Sequence, residues 1–178
     1  MKRRRFIGAG TALVLGLALV VGLPGCSNGG TEGSRAKLYY SVSELAQDSS
    51  VIVIGTARGH WVTADLANAP DLDFTLTNVT VEQVVKSDIV LAANDLLIVR
   101  QVPEGGSGSP PILTTGQRYL LYLSHSGLAG DQASQFYITG ASAGIYVAAS
   151  PDAPAFTRVV PDSGDTLPDS VSIDTALG

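Results

Sequence analysis

The single cysteine of the chain, Cys26, is the side chain whose surroundings most clearly indicate a chemical reaction. It directly follows Leu23-Pro24-Gly25, at the end of a long apolar run. A thiol in this setting is suited to accept a diacylglyceryl group, a covalent lipid anchor. We therefore expect cleavage between Gly25 and Cys26 and lipidation of Cys26, which then becomes the N-terminus.

The segment before Cys26 has the composition of an export signal. Basic residues at positions 2–5 precede an uncharged, mainly apolar run over residues 6–23. Positive charge stays on the cytoplasmic side while such a run enters the bilayer. The residues at −3, −1 and +1 of the cleavage point resemble a bacterial lipobox, whereas Pro24 departs from the usual small residue. An uncleaved signal anchor is the alternative, because the run would span about 27 Å as a helix.

Two export routes fit this signal. Arg3-Arg4-Arg5-Phe6-Ile7 resembles a twin-arginine motif, which implies export of a folded domain, but ordinary secretion signals also carry clustered basic residues. With either route we expect residues 1–25 to be a signal peptide and 26–37 to be the lipidated cysteine with a Gly- and Ser-rich flexible tether. The predicted location is the extracytoplasmic face of a membrane.

The charge balance argues against nucleic acid as a partner. The chain has 11 basic and 16 acidic residues, and four of the basic residues lie in the predicted signal. Seven basic residues against 16 acidic ones then remain, a net charge of −9. Such a chain offers little positive charge to neutralise phosphates or anionic lipid, so membrane attachment must come from lipid on Cys26.

The remaining candidates for chemistry are two histidines and three aspartates. His60 and His125 are far apart in sequence, and neither belongs to a known metal-binding or catalytic spacing. Asp65, Asp71 and Asp73 cluster in one segment, but their spacing does not match a calcium loop. We therefore expect no catalytic residues, no metal site and no cofactor.

Apolar patterning predicts a mainly β domain with a short N-terminal helix. Ser41 and Glu44 fit a capping box, and Val42, Leu45 and Ala46 then share a helix face. Seven strand-like segments follow, while residues 57–73 are expected to be a loop. The phase of the apolar residues changes near Asn78, which predicts a β-bulge or a barrel corner. The segments at 135–139 and 144–149, linked by Gly140-Ala141-Ser142-Ala143, are expected to form a hairpin or meander. The predicted strands are residues 51–56, 74–86, 95–102, 118–123, 135–139, 144–149 and 156–160.

The order of these elements resembles the netrin-like and tissue-inhibitor-of-metalloproteinase fold in its bacterial lipoprotein form. The resemblance is carried by the run at 50–56, by TNVTVEQVVK at 77–86, by LLIV at 96–99, and by LTTGQRYLLYL at 113–123. It covers about residues 42–147 and implies a small, OB-like, antiparallel β-barrel. We expect the whole domain to occupy residues 38–160, followed by an acidic tail or short helix at 161–178. The family's inhibitory mechanism is not implied, because it needs a disulfide-tied N-terminal cysteine and Cys26 is expected to be lipidated.

These observations predict a membrane-anchored, non-enzymatic binding or interaction module. Its expected partners are membrane lipid through Cys26 and an envelope protein. An enzyme with an unrecognised site and a structural component of the cell envelope are the alternatives.

Overall fold

The computed structural model describes residues 37–67, 69–102, 110–161 and 164–178. Within these ranges the chain forms a closed five-stranded β-barrel, additional strands and one short α-helix. The helix is α1 (Val42–Asp48), and the barrel strands are β1 (Val51–Thr63), β2 (Phe74–Ser87), β3 (Leu96–Gln101), β4 (Arg118–His125) and β5 (Gln135–Ile138). The additional strands are β6 (Ile145–Ala148), β7 (Ala155–Arg158) and β8 (Ser170–Ser172).

The barrel closes because β1 pairs on both edges. It pairs antiparallel with β2 on one side and with β4 on the other. From β2 the sheet continues through β3 to β5, and the β3–β5 pairing is parallel. β5 then pairs antiparallel with β4, which completes the ring. The predicted mainly β, OB-like barrel with a short N-terminal helix is thus confirmed.

Two apolar cores lie on opposite faces of the same strands. The inner core fills the barrel and takes one or more residues from each barrel strand, among them Val53, Val79, Val99, Leu121 and Phe136. The outer core lies between the barrel wall and a covering layer, and includes Leu45, Ile52, Tyr122, Phe156 and Val171. Successive strand residues point to opposite faces, so β1 and β4 need apolar residues at every position. This double burial explains the unbroken runs at 51–54 and 119–123.

The short helix α1 forms as the sequence predicts. Ser41 caps it by accepting a hydrogen bond from the Glu44 amide at 3.1 Å. The Glu44 carboxylate accepts from the Tyr40 amide rather than from that of Ser41. The predicted face of Val42, Leu45 and Ala46 is buried in the outer core.

The first strand is longer than predicted. We expected a loop from residue 57, but β1 continues to Thr63 and pairs with β2 along its whole length. Arg58 is an extra residue in the register, since Ala57 pairs with Val79 and Gly59 pairs with Asn78. An irregularity therefore lies opposite Asn78, but its extra residue is on β1 and not on the strand where we expected it; the extra residues of β2 are Glu82 and Val85. The extra residue Arg58 reverses which side chains of β1 face each side of the sheet, at the point where the β1–β2 hairpin extends beyond the packed part of the barrel.

The two strands after β4 do not form the expected hairpin or meander. β5 and β6 pair with different parts of β4, at Leu123–His125 and Tyr119–Leu121 respectively. The intervening 3₁₀ turn at Ala141–Gly144 leaves the β4 edge and returns to it. A Cβ atom on Gly144 would lie 2.6 Å from the Thr139 carbonyl oxygen and 2.9 Å from that of Tyr122, so this return requires glycine.

The C-terminal segment belongs to the folded domain. We expected an acidic tail or short helix over 161–178, but the structure has strand β8 paired with β7, then a 3₁₀ turn at Ile173–Thr175. Leu167, Val171 and Ala176 are buried in the outer core. The Tyr122 hydroxyl also donates a hydrogen bond to the Ala176 carbonyl at 2.9 Å.

The predicted cleavage and lipidation positions, Gly25 and Cys26, lie outside the described residues, as do the predicted signal and residues 27–36 of the tether. In the part of the chain that the structure describes, no helix has the length and apolar character needed to cross a membrane.

Candidate functional site

The two ends of the barrel both carry exposed apolar side chains. β1 runs from Val51 at one end, called the proximal end because α1 leads into it, to Thr63 at the other, distal end. Its 13 residues correspond to about 40 Å of extended chain. We call Trp61, Val62, Leu72 and Val102 the distal tip, and Ile89, Val90, Leu91 and Leu96 the proximal loop.

The distal tip is assembled by three neighbouring strands. Val62 pairs with Thr75, and Thr75 pairs with Gln101, which immediately precedes Val102. Trp61 and Val62 are 41% and 61% exposed, although both lie in a regular strand. Large apolar side chains on a rigid β hairpin form a surface that is suited to contact another protein.

A buried arginine lies behind the distal tip. Arg100 on β3 pairs with Leu76, and its side chain is fully buried. Its guanidinium lies 4.6 Å from the centre of the Phe74 ring and donates from Nε to Gln135 Oε1 at 2.7 Å. One terminal nitrogen donates to both carboxylate oxygens of Asp65, while Nη1 has no hydrogen-bond partner among the described residues. The sequence signal for this residue is a charged side chain within the apolar run LLIVRQV at 96–102, and we did not predict a role for it.

Asp65 fastens the β1–β2 loop to the barrel wall. Its carboxylate lies 2.6 Å from the Arg100 guanidinium, and its carbonyl accepts a hydrogen bond from Gln132 at 2.9 Å. The neighbouring guanidinium holds the pKa of Asp65 below its ordinary value. Asp65 therefore supports the hairpin and the β4–β5 connection, so that the distal tip is held in one arrangement.

The structure does not bring the predicted candidates for chemistry together. His60 is exposed near the distal end of β1, where it pairs with Thr77. His125 lies at the proximal end, with Nε2 3.0 Å from the Asp88 carboxylate. Asp65 is paired with Arg100, whereas Asp71 and Asp73 are exposed. Within the described ranges no three His, Cys, Asp or Glu side chains converge in a way that could hold a metal ion.

The proximal end carries a groove of about 380 Å³ with a mixed apolar and polar lining. Its apolar lining comes from the proximal loop, Leu97 and Phe136, and its polar lining includes Asp95, His125 and Ser134. The centres of the Phe136 and His125 rings lie 5.2 Å apart, with the ring planes tilted by 35°. Val90 is fully exposed and Leu96 is 64% exposed. The sequence signal for this surface is an unbroken apolar run at 89–91 within a connecting loop, and we did not predict a contact surface there.

A second pocket, of about 250 Å³, lies beside Glu82 and Arg118. Arg118 Nε donates to Glu82 at 2.7 Å, and its Nη1 donates to the Ala153 carbonyl at 3.0 Å. Burial acts to raise the pKa of Glu82, but hydrogen bonds from Thr56 and Arg118 outweigh it and lower the pKa. These contacts tie the barrel to the β6–β7 connection, which is a structural role.

Compared with known proteins, the chain matches no family model, no curated protein and no solved structure. The netrin-like resemblance therefore stays a prediction carried by the sequence motifs. The OB-type barrel itself stands on the observed strand pairing.

Proposed function

We propose that this protein is a lipid-anchored, extracytoplasmic, non-enzymatic binding module whose distal tip contacts a protein partner of the cell envelope. The observation that carries the proposal is the placement of exposed apolar side chains on a rigid hairpin, at the end of the barrel opposite the entry of the N-terminal segment. Trp61 and Val62 are both exposed and, as consecutive strand residues, lie on opposite faces of this hairpin, so the tip offers an apolar side chain on each face.

Ion pairs hold Lys37, the first described residue, against α1. Lys37 Nζ lies 2.9 Å from Glu44 and 2.8 Å from Asp48, the last residue of α1. Residues 37–40 thus run back along α1 toward the proximal end. A chain anchored through Cys26 would then present its proximal end to the bilayer and its distal tip to the surrounding space.

The support beneath the tip favours binding without rearrangement. The Arg100–Asp65 pair and the Gln132 hydrogen bond restrain the loop that follows Trp61 and Val62. A surface ordered before binding loses less conformational entropy on association. Trp is also enriched among the residues that contribute most to protein interfaces.

The anchor is tested by labelling cells with a fatty-acid analogue. The wild-type chain should carry the label, and the Cys26→Ala chain should carry none, because the thiol is the attachment point. Equal labelling of the two chains would contradict lipidation at Cys26.

The binding surface is tested by photo-crosslinking in intact cells. A photoreactive residue at Val62 should give a defined adduct with one envelope protein, whereas the same residue at Gln47, exposed on α1, should not. The double substitution of Trp61 and Val62 by serine should abolish co-purification of that protein while leaving thermal stability unchanged. Equal adducts from positions 62 and 47 would contradict a partner site at the distal tip.

A further inference from the structure

The proximal loop is an apolar surface without a covering element in the described structure. It consists of three residues of the β2–β3 connection, which runs from Asp88 to Asp95, and of Leu96, the first residue of β3. Val90 is fully exposed, Leu96 is 64% exposed, and Ile89 is 41% exposed. These three side chains lie at the rim of the proximal groove. We propose that the proximal loop inserts into the bilayer that holds the lipid anchor, as a second membrane contact; this proposal rests on the proposed lipidation of Cys26.

A chain of contacts places this loop at the entry of the N-terminal segment. Lys37 pairs with Asp48 at the end of α1. Two residues later, the Ser50 carbonyl accepts a hydrogen bond from the Asp88 amide at 3.2 Å. Ile89 and Val90 follow directly. The tether and the proximal loop therefore leave the barrel at the same end.

The length of chain before Lys37 keeps the bilayer within reach. Residues 27–36 are ten residues, and a chain of that length reaches at most about 35 Å. The anchor thus holds the domain close to the membrane surface at a high effective concentration. A contact too weak to bind a free protein to lipid is then sufficient to orient an anchored one.

Apolar burial, rather than charge, must drive this contact. Removing Ile89, Val90 and Leu96 from water is favourable in proportion to the apolar area that enters the bilayer interface. Asp88 and Asp95 flank the loop, with His125 and the Ala92 amide as their respective partners. Lys86 is turned away to the Ala46 and Ser49 carbonyls. The contact should therefore be stronger on bilayers of uncharged lipid than on anionic ones.

Fluorescence quenching by the bilayer tests the proposal. The chain contains one tryptophan, Trp61 at the distal tip, which is replaced by phenylalanine in both test variants. Val90→Trp and the control Val62→Trp then carry single reporters at opposite ends, each replacing an exposed valine. The full lipidated chains are reconstituted in phosphatidylcholine vesicles with brominated acyl chains. Val90→Trp should lose most of its emission relative to unbrominated vesicles, while Val62→Trp should lose little.

Flotation with the vesicles separates failure of the anchor from failure of the loop contact. If the full chain does not float, the anchor is wrong and this proposal is overturned with it. If the chain floats but the reporters at 90 and 62 are quenched equally, only the loop contact is overturned. A blue-shifted, unquenched reporter at 90 would indicate burial against protein and would also overturn it. Adding anionic lipid should reduce quenching at 90; an increase would contradict a contact driven by apolar burial.

Discussion

The two halves of β1 differ in almost every physical respect although they form one strand. From Val51 to Ala57 the residues are buried or nearly so, with alternate side chains in the inner and outer cores. After the extra residue at Arg58, the strand is largely exposed and is held mainly by pairing with β2. The proximal half thus determines whether the domain folds, and the distal half is free to carry a contact surface.

Substitution of core residues by alanine should show the largest difference in stability between the two halves. Leu121→Ala removes inner-core volume and should lower the free energy of unfolding by about 2–5 kcal/mol, with Val53→Ala somewhat less. Val62→Ala, the same change on the same strand at an exposed position, should cost less than about 0.5 kcal/mol. Thermal unfolding of the chain beginning at Lys37 measures all three. Unchanged melting temperatures for Val53→Ala and Leu121→Ala would refute the assigned core.

The two glycines of β1 provide a second matched pair. A Cβ atom on Gly55 would lie 2.6 Å from the Thr80 carbonyl oxygen and 2.8 Å from Val79, so Gly55→Ala should destabilise by about 1–3 kcal/mol. A Cβ atom on Gly59 would meet nothing within 4 Å. Gly59→Ala should be neutral or stabilising by up to about 1 kcal/mol. If urea denaturation gives equal losses for the two variants, the packing contrast between the halves is wrong.

The Asp65–Arg100 pair should make the stability of the distal half depend on pH. The pKa of Asp65 is lowered in the folded protein, so its stabilisation is present above the ordinary value of 3.8 and is lost as pH falls below it. Asp65→Asn should cost about 1–2 kcal/mol at neutral pH, less than for a fully buried pair because the carboxylate is partly exposed. The difference in melting temperature from wild type should shrink below about pH 4.

Asp71→Asn is the control for that measurement. Asp71 lies in the same β1–β2 loop but is exposed, and its substitution should change stability by less than about 0.5 kcal/mol at neutral pH. A pH-independent difference for Asp65→Asn, or an equal effect of the two substitutions, would show that the ion pair does not hold the loop.

Residue patterns predicted the barrel well because the two-sided burial of β1 and β4 leaves a strong local signal. The runs at 51–56 and 118–123 are apolar at nearly every position, and the predicted strand starts agree with the structure within one residue. The Ser41 cap and the buried face of α1 were equally local. Such features depend on residues that are close in sequence, so the pattern of apolar and capping residues is enough to predict them.

Three of the misses depend on partners distant in sequence. Arg100 and Asp65 lie 35 residues apart, and nothing near either residue indicates the other. β5 and β6 were expected to pair with each other because they are consecutive, but each pairs with β4 instead. Leu167, Val171 and Ala176 are too sparse to form a pattern, and their burial follows from the gap they fill beside Tyr122.

The composition of the outer core has a consequence for how the chain is delivered. This core joins Tyr39 and Leu45 to Val171 and Ala176, so its earliest and latest contributors are separated by nearly the whole domain. A chain that emerges N-terminus first, from a ribosome or a translocation channel, exposes the outer faces of β1 and β4 until those last contributors appear. Non-local closure of this kind is slow and leaves apolar surface open to aggregation. The interval before completion is therefore when the chain most needs a chaperone.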